Sequence, residues 1–174
     1  ALVYDSFVTM VLKEVQEKTG LDPYNDGLTI ETTIDSKAQQ RLYDIVNTND
    51  YIQYVNDKIQ NAVVMLDTKT GAVRAVNGGR KQTTLLGNNR ATDNSRSTGS
   101  SIKPVIDYGP AIEYLNYSTG QTIMDQRTTY SNGVELNNWD FSHKGAMTLR
   151  TALVYSRNTT ALQTFKAVGE TNIK

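Results

Sequence analysis

Residues 62–76 read Ala-Val-Val-Met-Leu, Asp-Thr-Lys-Thr-Gly and Ala-Val-Arg-Ala-Val. The apolar run Ala62 to Leu66 is too short for a helix and reads as a buried strand. Asp67 to Gly71 is a turn, and Ala72 to Val76 returns as the antiparallel partner, so the segment is a β-hairpin. On its N-terminal side, Leu2, Val3, Phe7, Val8, Met10, Val11, Leu12 and Val15 have the spacing of an amphipathic helix over Leu2 to Thr19, with Gly20 suited to the C′ position. Leu28 to Ile34 follows an Asp26-Gly27 turn; its alternation and β-branching read as a strand. Asp35 or Ser36 caps a second helix with Ala38, Leu42, Ile45 and Val46 on its inner face.

On the C-terminal side, Gly78 to Thr98 lacks periodicity and reads as a surface loop. A helix is predicted from about Ser100 to Leu115, a mostly irregular stretch over Gln121 to Gly145, and a last helix from about Thr148 to Val168, broken near Ser156. Strands and helices interleave without an internal repeat. The class is α+β.

The 174 residues suit one domain of ordinary size. Eighteen basic residues balance eighteen acidic ones, so no positive field exists to hold nucleic acid or an anionic membrane surface. No run of about 18 apolar residues occurs, so this chain itself makes no membrane contact. The absence of cysteine removes disulfides, thiol catalysis and thiolate metal sites. Ala1 in place of an initiating Met, and Lys174 a few residues past an apparent helix end, give the expectation of a piece cut from a longer protein after Lys174.

Gly99-Ser100-Ser101-Ile102-Lys103-Pro104 is the first candidate for chemistry. On a helical turn Ser100 and Lys103 share a face. A serine hydroxyl becomes a nucleophile when a base lies within reach, and a desolvated lysine can be that base. Gly99 lets the chain bend just before the serine. Ten serines and ten lysines yield ~0.6 chance matches to Ser-x-x-Lys, so the pattern alone is weak. The plain alternative is that Ser100 caps a helix and Lys103 faces water. Ser156-Arg157-Asn158 offers a hydroxyl to relay a proton and an amide to hold a carbonyl or the lysine. Its plain alternative is a helix interruption with solvated side chains.

Lys69-Thr70-Gly71 spells the third motif of serine acyltransferases that use Ser-x-x-Lys. It precedes Ser100 and sits in a hairpin turn, so Lys69 receives no catalytic role. His143 is the only histidine, lacks carboxylates at ligand spacing, and reads as a loop residue; no metal site is expected. Trp139 is either packing or an aromatic wall of a substrate cleft.

Together these residues resemble the transpeptidase domain of class A, bifunctional penicillin-binding proteins. Gly27-Leu28-Thr29-Ile30-Glu31-Thr32-Thr33-Ile34-Asp35 with Gln39 is similar to the stretch leading into that domain. Asn61 to Gly79 resembles its first hairpin, and Asn89-Arg90-Ala91-Thr92 the approach to the nucleophile. Met147-Thr148-Leu149-Arg150-Thr151-Ala152-Leu153, Ser156-Arg157-Asn158 and Val168-Gly169 resemble the second motif and its helix. The likeness spans nearly the whole chain in order and spacing.

The resemblance implies a partial serine-transpeptidase fold, related to β-lactamases, with a central antiparallel sheet and helices. Residues 1–60 would be a leading segment and residues 61–174 the N-terminal portion of the transpeptidase domain. Ser100 would attack the D-Ala-D-Ala bond of a peptidoglycan stem peptide, Lys103 would take its proton, and Ser156 would pass a proton to the leaving amine. Asn158 and Trp139 would bind substrate, β-lactams would acylate Ser100, and no cofactor would be needed. The parent would also be a glycosyltransferase, anchored at the extracytoplasmic face of a bacterial membrane. Two features depart from the pattern. Thr98 stands where proline is more usual, and the family's Lys-Thr-Gly strand, which supplies an oxyanion donor worth ~10²–10³ in rate, is expected beyond Lys174. The chain alone is then half a site, completed by a companion polypeptide or silent. The alternatives are a DD-carboxypeptidase or β-lactamase relative, and a non-catalytic exported cell-surface binding module.

Overall fold

The structure, a computed structural model, describes residues 2–169. Two compact units divide the chain, Ala1–Ser95 and Arg96–Lys174.

In the first unit, α1 (Asp5–Thr19) begins three residues later than its apolar pattern suggests. It ends where predicted, at Gly20, whose φ of +71° suits glycine and whose N–H reaches the Gln16 carbonyl. Helix α2 (Ser36–Asn47) is capped by Asp35, whose carboxylate accepts from the Lys37 and Ala38 N–H groups at 3.0 Å each. The hairpin forms as predicted from β1 (Val63–Leu66) and β2 (Val73–Asn77), with Val64 opposite Val76. Asp67 closes the turn by accepting from the Lys69 and Thr70 N–H groups, so Lys69 is a turn residue. Phe7, Val46, Ala75 and Val76 are the unit's buried apolar residues.

Three expectations for this unit are corrected. The apolar β1 is exposed along its whole length, because its sheet has two strands and no second layer covers it among the described residues. Leu28 to Ile34 does not form a strand. The free edge of β2 is already occupied: the buried Gln39 amide accepts from Val76 N–H and donates to Val76 C=O, both at 2.8 Å. Among the described residues Asp35 N–H reaches the Arg74 carbonyl, the Thr33 hydroxyl the Val73 carbonyl and the Arg74 guanidinium the Thr33 carbonyl, one backbone bond and two side-chain bonds that fall short of a ladder. Finally, the surface loop after β2 is buried at Gly78, Gly79, Arg80 and Asn89. Asn89 donates to the Ser6 carbonyl, and a Cβ on Gly78 would lie 2.4 Å from the Asn89 side-chain oxygen. The Arg80 guanidinium stacks 3.6 Å from the Tyr54 ring centroid and donates to the Val46, Asn56 and Ile59 carbonyls.

The second unit packs Tyr108, Leu149, Ala152 and Ala161 into a core, flanked by Tyr117, Ile123 and Met147. Its helices are α3 (Gly109–Leu115), α4 (Leu149–Val154) and α5 (Asn158–Val168), the last two separated by the break predicted near Ser156. The stretch predicted as mostly irregular contains strands. β3 (Thr122–Asp125) pairs with β6 (Gly145–Thr148), and β4 (Thr128–Thr129) with β5 (Glu135–Leu136). Elements of two to four residues paired across longer separations leave no local period to read. All pairing is antiparallel, distributed among the described residues over three two-stranded sheets rather than one central sheet. No helix among the described residues is long and apolar enough to cross a membrane.

Candidate active site

The helix predicted from Ser100 to Leu115 is instead wound in three ways: a 3₁₀ turn over Gly99–Ile102, a π-helical turn over Pro104–Tyr108, then α3. Pro104 has no N–H to donate, and in an α-helix its ring would crowd the Ser100 carbonyl four residues back. The chain tightens before the proline, with Lys103 N–H bonded to Ser100 C=O, and widens after it, with Gly109 N–H reaching Pro104 C=O. Gly109 is needed there, since a Cβ would stand 2.7 Å from that carbonyl oxygen. In a 3₁₀ turn positions i and i+3 eclipse, so Ser100 and Lys103 project to the same side. Gly99 enters the turn at φ +55°.

The two side chains have different surroundings. Ser100 is exposed and its hydroxyl makes no hydrogen bond among the described residues. Lys103 is 6% exposed, which overturns the alternative of a lysine facing water. Its Nζ donates to the Ser156 carbonyl at 2.7 Å, the Ser156 hydroxyl at 3.1 Å and Asn158 Oδ1 at 2.7 Å. Three acceptors match the three donors of an ammonium. Burial pushes Lys103 below the ordinary lysine range; the charge of Asp107 pulls it back and that of Arg157 lowers it further. Asp107 is itself buried, and desolvation raises it to about 6 against the opposing pull of Lys103.

Ser156 and Asn158 reach Lys103 because of how α4 ends. Ser156 N–H bonds to Leu153 C=O and Arg157 N–H to Ala152 C=O, the pair of bonds that closes a Schellman motif. Ser156 occupies its left-handed position at φ +50°, where glycine is usual and a side chain costs ~1–2 kcal/mol. Helix α5 then begins at Asn158 with no cap from its own N-terminal flank. Its first two N–H groups, those of Asn158 and Thr159, donate instead to Asn138 Oδ1 at 2.7 and 3.3 Å. Asn158 also donates its side-chain amide to Asn137 C=O. The plain alternative of a solvated helix interruption is therefore overturned as well.

Beneath this turn lies a buried polar group that sequence reasoning missed. Arg157 donates Nε to Asp125 at 2.8 Å, one terminal nitrogen to Asp140 at 2.9 Å and the other to the Ser142 carbonyl. Asp125 also accepts from the Thr159 hydroxyl at 2.5 Å, Asn138 Nδ2 at 2.8 Å and Lys144 N–H at 2.9 Å. Burial pushes Asp125 up, but these bonds and the Arg157 charge prevail and hold it below the usual carboxylate range. His143 lies in the loop before β6 with Nδ1 3.8 Å from Asp125. The one available signal was a charged residue inside Ser-x-Asn, between two helical patterns.

Trp139 is 68% exposed; its indole N–H donates to the Tyr155 carbonyl at 3.1 Å. It lines an open cleft with Met147, Thr151, Tyr155 and Lys144. The structure thus brings Lys103, Ser156 and Asn158 into direct contact, sets Ser100 on the turn of Lys103, and stands Trp139 against the residue before Ser156.

An α+β scaffold that sets a buried, hydrogen-bonded lysine on the same turn as an exposed serine agrees with the transpeptidase class that the sequence resembles. The model of the penicillin-binding protein transpeptidase domain matches residues 61–174. The chain belongs to this family and resembles its class A members. It is 44% identical over 167 residues to penicillin-binding protein 1A/1B of Bacillus subtilis, covering 96% of this chain and 18% of that protein. It is 37% identical to penicillin-binding protein 1A of Streptococcus pneumoniae, covering 95% and 24%. The chain thus spans a quarter or less of the length of these two relatives. Among solved structures it resembles PonA1 of Mycobacterium tuberculosis at 28% identity and a TM-score of 0.70, over 91% of this chain and 40% of that one. The complex of PonA1 with penicillin V gives 26% and 0.69, over 94% and 42%.

Proposed function

We propose that this chain supplies the nucleophile, base and proton relay of a peptidoglycan D,D-transpeptidase. The observation that carries the reading is the buried Lys103 Nζ, wired to Ser156 and Asn158 on the same turn as an exposed serine. A neutral Nζ keeps two donors for these oxygens and a lone pair for the Ser100 proton; its lowered pKa favours that state. Ser100 Oγ bonds to the carbonyl carbon between two D-alanines, its proton passes to Lys103, and the C–N bond breaks. Ser156 delivers a proton to the departing D-alanine amine. An amine from a neighbouring stem peptide then attacks the ester carbon, forming the cross-link amide and returning a proton to Ser100. Asn158 orients the donor peptide and Lys103, and Trp139 offers it an apolar wall.

Penicillin, which the PonA1 complex holds, acylates the same serine on this reading. The working protein is a longer class A enzyme that also carries glycosyltransferase activity and acts at the extracytoplasmic face of the membrane. Residues 1–60 lead into the transpeptidase domain that starts at residue 61. Support comes from the family match and from relatives several times longer than this chain. The test is peptide mapping of the full-length protein after reaction with fluorescent penicillin. The expected label sits on Ser100 and vanishes in Ser100→Ala. A wild-type protein that takes no label, or a Ser100→Ala variant that labels as wild type, sinks the reading and promotes the non-catalytic binding module.

A further inference from the structure

We infer that Asp125 and Asn138 are positioning residues of this site, holding the Ser156-Arg157-Asn158 turn in the shape that presents three oxygens to Lys103. The inference rests on the transpeptidase reading and adds to it two residues that lie outside both motifs.

The turn does not hold its own shape. Ser156 sits in the left-handed region that disfavours a side chain, so the segment needs restraint from outside. The chain on either side supplies part of it through the Schellman bonds. The rest comes from two residues upstream. Asn138 accepts both opening N–H groups of α5, a cap delivered from twenty residues away, and so fixes where Asn158 starts. Its amide is oriented in turn, because Nδ2 donates to Asp125 Oδ1 and to the Ser142 carbonyl. Asp125, with its side chain fully buried, binds Arg157 Nε through its other oxygen and Thr159 through the first. One carboxylate thereby ties residues 157 and 159, and through Asn138 residue 158, to the end of β3. Arg157 is 1% exposed, so the middle of the motif is pinned inside the unit while its neighbours face Lys103. Asp140 holds the same guanidinium with a side chain that is 20% exposed and, among the described residues, hydrogen-bonds to neither Asn138 nor Thr159. A loss at Asp125 is therefore transmitted to Ser156 and Asn158 along three routes at once.

Asp125→Asn in the full-length protein tests this, with acylation by fluorescent penicillin read as two quantities: the rate per labelled site and the fraction of molecules finally labelled. A mispositioned turn slows the rate while the labelled fraction stays that of wild type. The expected fall is about 10- to 100-fold, the scale of hydrogen bonds to a buried charge. Thr159→Val deletes one bond to Asp125 at nearly constant shape and lowers the rate about 3- to 10-fold by the same route; it decides the matter if Asp125→Asn does not fold. A rate per labelled site within twofold of wild type in the variant that folds overturns the inference, even if the labelled fraction drops. Wild-type labelling at Ser100 beside an unchanged variant rate removes this inference alone. Absence of wild-type label at Ser100 removes the transpeptidase reading and this inference with it.

Discussion

Replacing Asn158 by aspartate changes one atom of the side chain and reverses the electrostatics at Lys103. Asn158 Oδ1 accepts from Lys103 Nζ at 2.7 Å. A full negative charge at that distance interacts with the ammonium by ~6 kcal/mol at an effective dielectric of ~20 and by ~1.5 kcal/mol in bulk water. The lower bound already corresponds to about one pKa unit. The sign is fixed: an added anion stabilises the charged lysine, so Lys103 rises from its lowered position toward or past the ordinary lysine value. While the lysine pKa lies above the working pH, each unit removes about nine-tenths of the neutral amine that receives the Ser100 proton in the proposed mechanism. Acylation of the full-length Asn158→Asp variant by fluorescent penicillin should fall at least about tenfold at pH 7. The deficit should narrow as pH rises toward 10 and the lysine is again deprotonated. The substitution also sets an oxygen against the Asn137 carbonyl, where Nδ2 now donates at 2.9 Å, but that repulsion does not relax at high pH. A rate within twofold of wild type at pH 7, or a deficit equal at pH 7 and pH 10, would refute Lys103 as the base.

Two further outcomes follow from burial and close approach. Asp107 has a folded pKa raised to about 6 against 3.8 for the ordinary group, so its favourable contribution is complete below pH ~4 and is lost as pH rises through 6. Urea unfolding of Asp107→Asn should therefore gain on wild type by on the order of 2 kcal/mol between pH 4 and pH 7, and parallel pH curves would contradict it. Gly78→Ala places a Cβ 2.4 Å from the Asn89 side-chain oxygen and 2.9 Å from its Cα. Strain of that kind costs ~1–3 kcal/mol, a loss of several degrees in thermal midpoint, and an unchanged midpoint would mean that the loop carrying Asn89 moves freely.

What the sequence made legible was whatever is decided by neighbours along the chain. The hairpin turn at Asp67 to Gly71, the Asp35 cap and the Gly20 terminus each rest on contacts spanning five residues or fewer, and each formed as read. The Ser100–Lys103 spacing was legible for the same reason, although a proline one residue later changed the winding that aligns them. Gln39 shows the limit. Its side chain occupies the edge that Leu28 to Ile34 would have needed, from a helix 37 residues before Val76. No local pattern of the 28–34 stretch carries that information, so its alternation pointed to a strand that is not formed.

The site repeats this division at closer range. Lys103, Ser156 and Asn158 were named from short motifs, but what brings Ser156 to Lys103 is a left-handed turn held by residues 15 to 32 positions away. A reading by helix rules alone would place glycine where Ser156 stands, and glycine would relieve the strain. Glycine has no hydroxyl, however, and Lys103 would lose one of its three oxygens. Local preference and chemistry conflict at this position, and the buried Asp125–Arg157 pair lies directly beneath it. A side chain in a conformation that helix rules disfavour, held over a buried ion pair, is the local conflict that supports the role proposed for Ser156.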